Sequence, residues 1–152
     1  MKPKTPNNGF VFFCEGRPAS YQGSPKSKEV YKRRISTCYQ RHFTGAMPDV
    51  PLFANVYHFY NEDVQIDADN ISKPTWDALS KVAFSDDKQI IIRSAASIDM
   101  RKSGLEVDLD TIPSEIRFDF IDSIYSKPHT IFIEVGEVDN ISKLFIQSSL
   151  WK

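Results

Sequence analysis

Residues 67–79 read Asp67-Ala68-Asp69-Asn70-Ile71-Ser72-Lys73-Pro74-Thr75-Trp76-Asp77-Ala78-Leu79, and Phe84-Ser85-Asp86-Asp87 follow shortly after. Ile71, Thr75, Ala78, Leu79 and Val82 recur at i, i+4, i+7, i+8 and i+11, which predicts a helix over about 71–84 with one apolar face. Asn70 is placed to cap it. Pro74 then falls in the first turn, where few intrahelical bonds have formed and a missing N–H is tolerated. Before the helix, "FANVYHFYNEDVQI" at 53–66 is aromatic and β-branched. It reads as one long interrupted strand or a hairpin, with Asn61-Glu62-Asp63 as turn or bulge, ending at the aspartates. After it, "KQIIIR" at 88–93 reads as another strand. The stretch is therefore a strand–helix–strand unit with carboxylates at both ends of the helix.

Working outward, "GFVFFC" at 9–14 is a buried strand and the segment around Gly16, Pro18, Gly23 and Pro25 is a loop. A helix starts cleanly with Ser24 as N-cap and Pro25 at the first helical position. Val30, Tyr31, Ile35, Cys38 and Tyr39 give it one stripe. On the C-terminal side a short helix is expected near 114–124, a strand at "TIFIEV" 130–135 and a last strand at "KLFIQS" 143–148. The order predicts an α/β (α+β) fold: one compact domain over 1–152, a mixed β-sheet with two main helices packed on it, and 1–8 as a flexible arm. Aromatic residues are plentiful, eleven Phe and six Tyr. The excess at 53–60 is more than one small core needs and suggests a dimer interface.

A chain of 152 residues with 41% hydrophobic and 26% charged residues is ordinary for a globular domain. No apolar run approaches a membrane span, and "MKPKTPNNGF" has no apolar signal core, so a cytoplasmic protein is expected. Cys14 and Cys38 are expected as two reduced thiols. His42, His58 and His129 fit no zinc spacing, and His58 is expected as a packing residue. The net charge of −1 hides an asymmetry. Residues 1–43 hold nine Lys or Arg against two Glu, a balance of +7, and residues 44–152 hold ten against eighteen acids, a balance of −8. A basic third beside an acidic cluster suits a polyanion brought onto bound cations. The alternative is that the two parts neutralise each other across the fold.

Asp67 and Asp69 are two apart. At the end of a strand they would share a face and reach one cation. Asp86 and Asp87 come after the helix and can fold back beside them. Hard carboxylate oxygens suit Mg²⁺ or Mn²⁺. Lys73 lies one turn beyond Asp69, and Asp77 one turn beyond Lys73. Asp77 either orients the lysine or pairs with it on a solvated face. The plain alternative for the whole cluster is a capping Asp-x-Asp-Asn plus an acidic turn.

"DADNISKPTWDALSKVAFSDDKQI" resembles the signature of the RusA family of Holliday-junction resolvases: D-x-D-N, a lysine three residues after the Asn, D-A-L, then D-D before a strand. The similarity extends over about residues 9–95, and "EGRPASYQGSP" followed by a basic helix is similar to the family's first loop. The resemblance implies a Mg²⁺-dependent endodeoxyribonuclease that resolves four-way junctions by paired phosphodiester hydrolysis in DNA recombination and repair. Asp67, Asp69 and Asp87 are then metal ligands and catalytic, with Asp86 the alternative to Asp87, because the loop before the pair is shorter than in the best-known member of the family. Lys73 takes the role of the lysine required for cleavage. Arg17, Ser20, Gln22, Lys26, Lys28, Arg33 and Arg34 become candidate DNA contacts. The partners implied are branched DNA and a second copy of the chain in a symmetric homodimer. No organic cofactor or membrane is implied. Two other functions fit the sequence: a nuclease of this fold acting on other branched or duplex DNA, and a non-catalytic DNA-binding protein on the same scaffold.

Overall fold

The computed structural model describes residues 2–63, 66–102 and 106–138. Four strands and three helices alternate: β1 (Gly9–Glu15), α1 (Pro25–His42), β2 (Leu52–Tyr60), α2 (Ala68–Leu79), β3 (Ile90–Asp99), α3 (Ser114–Ser126) and β4 (His129–Glu137). The sheet order is β1-β4-β2-β3. β4 runs antiparallel to both β1 and β2, and β2 runs parallel to β3. A parallel pair needs a crossover, and α2 supplies it. This is the mixed sheet expected from the order of elements. The expected strand at 143–148 lies outside the described residues.

Alternation along the strands sends side chains to two layers. Phe10, Phe12, Ala54, Val56, Ile131 and Ile133 meet the buried faces of α1 and α2, where Tyr31, Ile35, Ile71, Trp76 and Leu79 sit. Phe59, Ile116, Phe120 and Ile124 form a smaller core under α3 on the other face. α1 starts as its sequence requires: the Ser24 side chain accepts from Ser27 N at 3.1 Å and Pro25 occupies the first turn. Its stripe is narrower than expected, since Val30 is 52% exposed. The two helices are joined by a buried polar chain. Thr75 Oγ1 donates to Ile71 O at 2.7 Å, so the Tyr31 hydroxyl donates to Thr75 Oγ1 at 2.8 Å. Burial pushes the Tyr31 phenol up to about 12.

Several expectations change. In the run 53–66 the strand β2 ends at Tyr60, and Asn61-Glu62-Asp63 lies beyond its end; residues 64–65 lie outside the described residues. Phe53, Phe59 and Tyr60 are buried inside the subunit, and Tyr57 of the same strand is partly exposed. Among the described residues the large exposed aromatics are Tyr21, on the loop before α1, and Phe118 and Tyr125 of α3. Cys14 and Cys38 are not separate thiols but a disulfide, with Cα atoms 6.0 Å apart. The inward face of β1 meets the stripe of α1 there, a juxtaposition that 24 residues of sequence separation do not reveal. The N-terminal arm is held: Lys4 N donates to His42 O, Thr44 N donates to Lys4 O, and Pro6 is buried.

His58 is buried, as a packing residue would be, but it is hydrogen-bonded too. Its Nε2 lies 2.8 Å from His129 Nδ1, and His129 Nε2 pairs with Glu62. Burial, then the neighbouring His129 and Arg17, push the His58 imidazole down to about 4. An unfolded histidine takes up a proton near 6.5, so the unfolded state binds more protons between pH 6.5 and 4 and stability falls as pH is lowered through that window. Between pH 7 and 4.5 the expected loss is roughly 2–3 kcal/mol. Denaturant midpoints at the two pH values should show it in the wild type and show much less of it in His58→Gln. An equal loss in both proteins would remove His58 as the cause.

Candidate active site

α2 begins at Ala68, with Asp67 as its N-cap, rather than at Ile71 after an Asn70 cap. Asp67 and Asp69 therefore do not alternate on a strand. They belong to the start of a helix, where residues two apart point about 200° apart. Asp67 makes no capping hydrogen bond, so its carboxylate remains open although it sits at the helix's positive end. Asp69, Lys73 and Asp77 follow one another at four-residue spacing along the exposed face of the same helix.

The earlier start makes Pro74 an interior residue of α2. Its ring nitrogen has no proton for the carbonyl four residues back, that of Asn70. The structure supplies another donor: Tyr21 N donates to Asn70 O at 2.7 Å. The loop carrying Arg17, Ser20 and Gln22 is thus pinned to the first turn of α2. The same loop is anchored to the sheet where Gly16 N donates to His129 O at 3.0 Å.

The Asp86-Asp87 pair divides its work. Asp86 caps the short 3-10 turn Asp87–Gln89, accepting from Lys88 N at 2.9 Å. Asp87 turns toward α2. Lys73 Nζ donates to Asp77 and, at 3.4 Å, to Asp87 Oδ2. Burial opposes ionisation of Asp87, but the charge and hydrogen bond of Lys73, with the charge of Arg93 behind them, hold its carboxyl below the usual range. The Asp77 hydrogen bond, ahead of the charges of Asp77 and Asp87, raises Lys73 above the usual lysine range, so it is an ammonium at neutral pH. Arg93 completes the group. Its guanidinium, on β3, donates to Asp87 O at 3.0 Å and lies 3.5 Å from Asp87 Oδ2. Sequence reading passed over Arg93 as part of a strand. Its position six residues after Asp87, near the start of β3, was the available signal.

The open Asp67 and Asn70 form one wall of a cavity of about 750 Å³ whose other walls include Arg17, Ser20, Lys26 and Arg34. Four of the seven candidate DNA contacts thus meet at one hollow. Lys28 lies instead over the Tyr21 ring, 5.1 Å from its centroid, and Arg33 faces Glu29 at 3.9 Å. Gln22 is exposed on the loop. Among the described residues no three His, Cys, Asp or Glu side chains come together as a group able to hold a metal ion. Asp67, Asp69 and Asp87 are therefore distributed around the N-terminal half of α2 rather than gathered in a cage.

An α+β domain with an ammonium held between two carboxylates, and an open carboxylate facing a cation-lined cavity, is a frame suited to phosphoryl chemistry. The family model described as Endodeoxyribonuclease RusA matches residues 17–110, more than half of the chain and every candidate site residue from Arg17 to Arg93. The chain belongs to the RusA endodeoxyribonuclease family. A search of curated proteins found no match.

The Pro74–Asn70–Tyr21 link has a direct test. Pro74→Ala restores the helical N–H, which then competes with Tyr21 for Asn70 O. The variant should fold with stability kept, while hydrogen exchange at the Tyr21 amide accelerates by about tenfold, the equivalent of one net hydrogen bond. Unchanged exchange at Tyr21 would mean that the loop is held by other contacts.

Proposed function

We propose that this RusA-family chain is a divalent-metal-dependent endodeoxyribonuclease that cuts branched DNA, chiefly four-way junctions, and works as a homodimer in recombination and repair. The observation that carries the proposal is Lys73, an ammonium bridging Asp77 and Asp87 on the helix that begins at the open Asp67. Two open carboxylates, Asp67 and Asp69, offer the hard oxygen donors that Mg²⁺ or Mn²⁺ prefers. Mg²⁺ commonly takes only one or two protein carboxylates and completes its shell with water and substrate phosphate, so a three-carboxylate cage is not required. Asp87 is the third candidate ligand, favoured over Asp86, whose oxygen is spent on capping the 3-10 turn. When bound, the metal would polarise a phosphoryl oxygen and lower the pKa of a water.

The chain's own groups do the rest. Lys73 is charged and therefore serves as a positive group next to the scissile phosphate rather than as a base. Asp77 holds that ammonium in place. Arg93 fixes the main chain of Asp87. The cation-lined cavity, with Arg17, Lys26 and Arg34, draws the strand toward α2. Two such sites in a dimer would give paired nicks across a junction.

Asp69→Asn removes one negative charge while keeping the side chain's shape. Nicking of an end-labelled junction should fall by at least about 100-fold, the scale of losing a metal ligand, with junction binding retained. Lys73→Met should lose cleavage to a similar extent and keep its thermal stability, because the lysine's ion pairs are solvent-exposed. Cleavage at wild-type rate in either variant would sink the assignment of these roles.

A further inference from the structure

Among the described residues, Arg34 is a cation with no anion. It is half-buried, and among the described residues its Nε has no hydrogen-bond partner and its guanidinium bonds to the main-chain oxygen of Arg17 alone. The guanidinium carbon lies over the Tyr31 ring, 5.4 Å from the centroid. No carboxylate pairs with it among the described residues. Removing a charge from water without a counter-charge is costly, and the cost falls when an anion arrives. The fold makes room for this arrangement. Gly16 adopts φ +114°, a conformation that favours glycine, and a Cβ there would come within 1.9 Å of an Arg34 terminal nitrogen and push the guanidinium from its place.

The cavity beside it extends the imbalance. Arg17 and Lys26 line it, also without ion pairs among the described residues, and Asp67 is the one acid on its wall. The N-terminus of α1 opens on the same space, and its first turn carries no acidic residue to offset the helix dipole. A volume of about 750 Å³ exceeds what a phosphate alone needs, and Pro18, Val30 and Ile66 add apolar wall. That combination suits a phosphate with a sugar or base still attached.

We propose that this cavity is a phosphate subsite, with Arg34 as its anchoring cation, Arg17 and Lys26 as flanking charges, and a phosphodiester of a nucleic-acid strand as its occupant. The identity of that occupant rests on the nuclease reading above; the phosphate chemistry does not. Arg34 is a binding residue here, set beside the α2 carboxylates rather than among the reacting atoms.

The test follows the Arg34 Nε–H and the Ser24–Ser27 amides by NMR in the whole chain, without metal. One arm adds inorganic phosphate, and the other adds the dinucleoside monophosphate dTpdT. Both signals should shift with dTpdT, and Lys26→Gln should weaken the apparent affinity by about tenfold, as expected for one charge-assisted contact. Lys4→Gln, which removes the same charge elsewhere, should leave the affinity unchanged. Arg34→Lys keeps the charge but not the fork, and should weaken binding while the rest of the spectrum stays folded. Arg17→Gln offers an exposed second variant should Arg34 changes disturb the loop. Shifts with inorganic phosphate alone would keep the phosphate subsite and overturn its strand occupant. No shift with either probe in a protein that still nicks junctions would overturn this inference and leave the nuclease assignment standing. Equal weakening in Lys4→Gln and Lys26→Gln would reduce the effect to net charge and overturn it as well.

Discussion

The site depends on a carbonyl that its own helix cannot satisfy. Pro74 withholds the N–H that Asn70 O would accept, and Tyr21 N takes that place at 2.7 Å. A proline inside a helix ordinarily weakens it. Here the freed carbonyl joins two parts of the chain about fifty residues apart, the basic loop after β1 and the acidic start of α2. The buried Tyr31–Thr75–Ile71 chain reinforces the same junction one turn further along. Without these links, the cations that would hold a polyanion and the carboxylates that would act on it would belong to separate surfaces.

Electrostatics divides the site into two compartments. In one, Lys73 and Arg93 share Asp87, with Asp77 on the far side of the lysine, so each carboxylate there has a cation. In the other, Arg17, Lys26 and Arg34 face a cavity on whose wall Asp67 is the one acid among the described residues. The first compartment is internally balanced and holds its groups in place. The second carries unspent positive charge. The basic N-terminal third is thus not cancelled by the acidic remainder. Much of it stands exposed where a phosphate chain could run toward α2.

The sequence carried the element order well. Ser24-Pro25 marked the start of α1, the run 114–124 lay within α3, and "TIFIEV" lay within β4. Lys73 and Asp77 were readable as neighbours from helical spacing, whereas Asp87, expected beside Asp67 and Asp69, turns instead to Lys73. The start of α2 was misread because Asp-x-Asp-Asn suits both a strand end and a helix start, and because an early Pro74 argued for moving the boundary later. Arg93 went unnoticed because one charged residue in an apolar run looks like a solvated strand position. The Cys14–Cys38 pair and the Glu62–His129–His58 chain depend on which strands and helices become neighbours, and local pattern does not encode that.

The central claim is that these groups form one metal-dependent site for branched DNA. The most direct measurement is a nicking assay on an end-labelled four-way junction and a duplex of matched length, each with Mg²⁺ and with EDTA. Symmetric cuts in the junction, dependent on Mg²⁺ and far weaker in the duplex, are the predicted result. A folded protein that cuts neither substrate with any divalent metal would contradict the account, leaving Lys73 between its carboxylates as a structural ion pair.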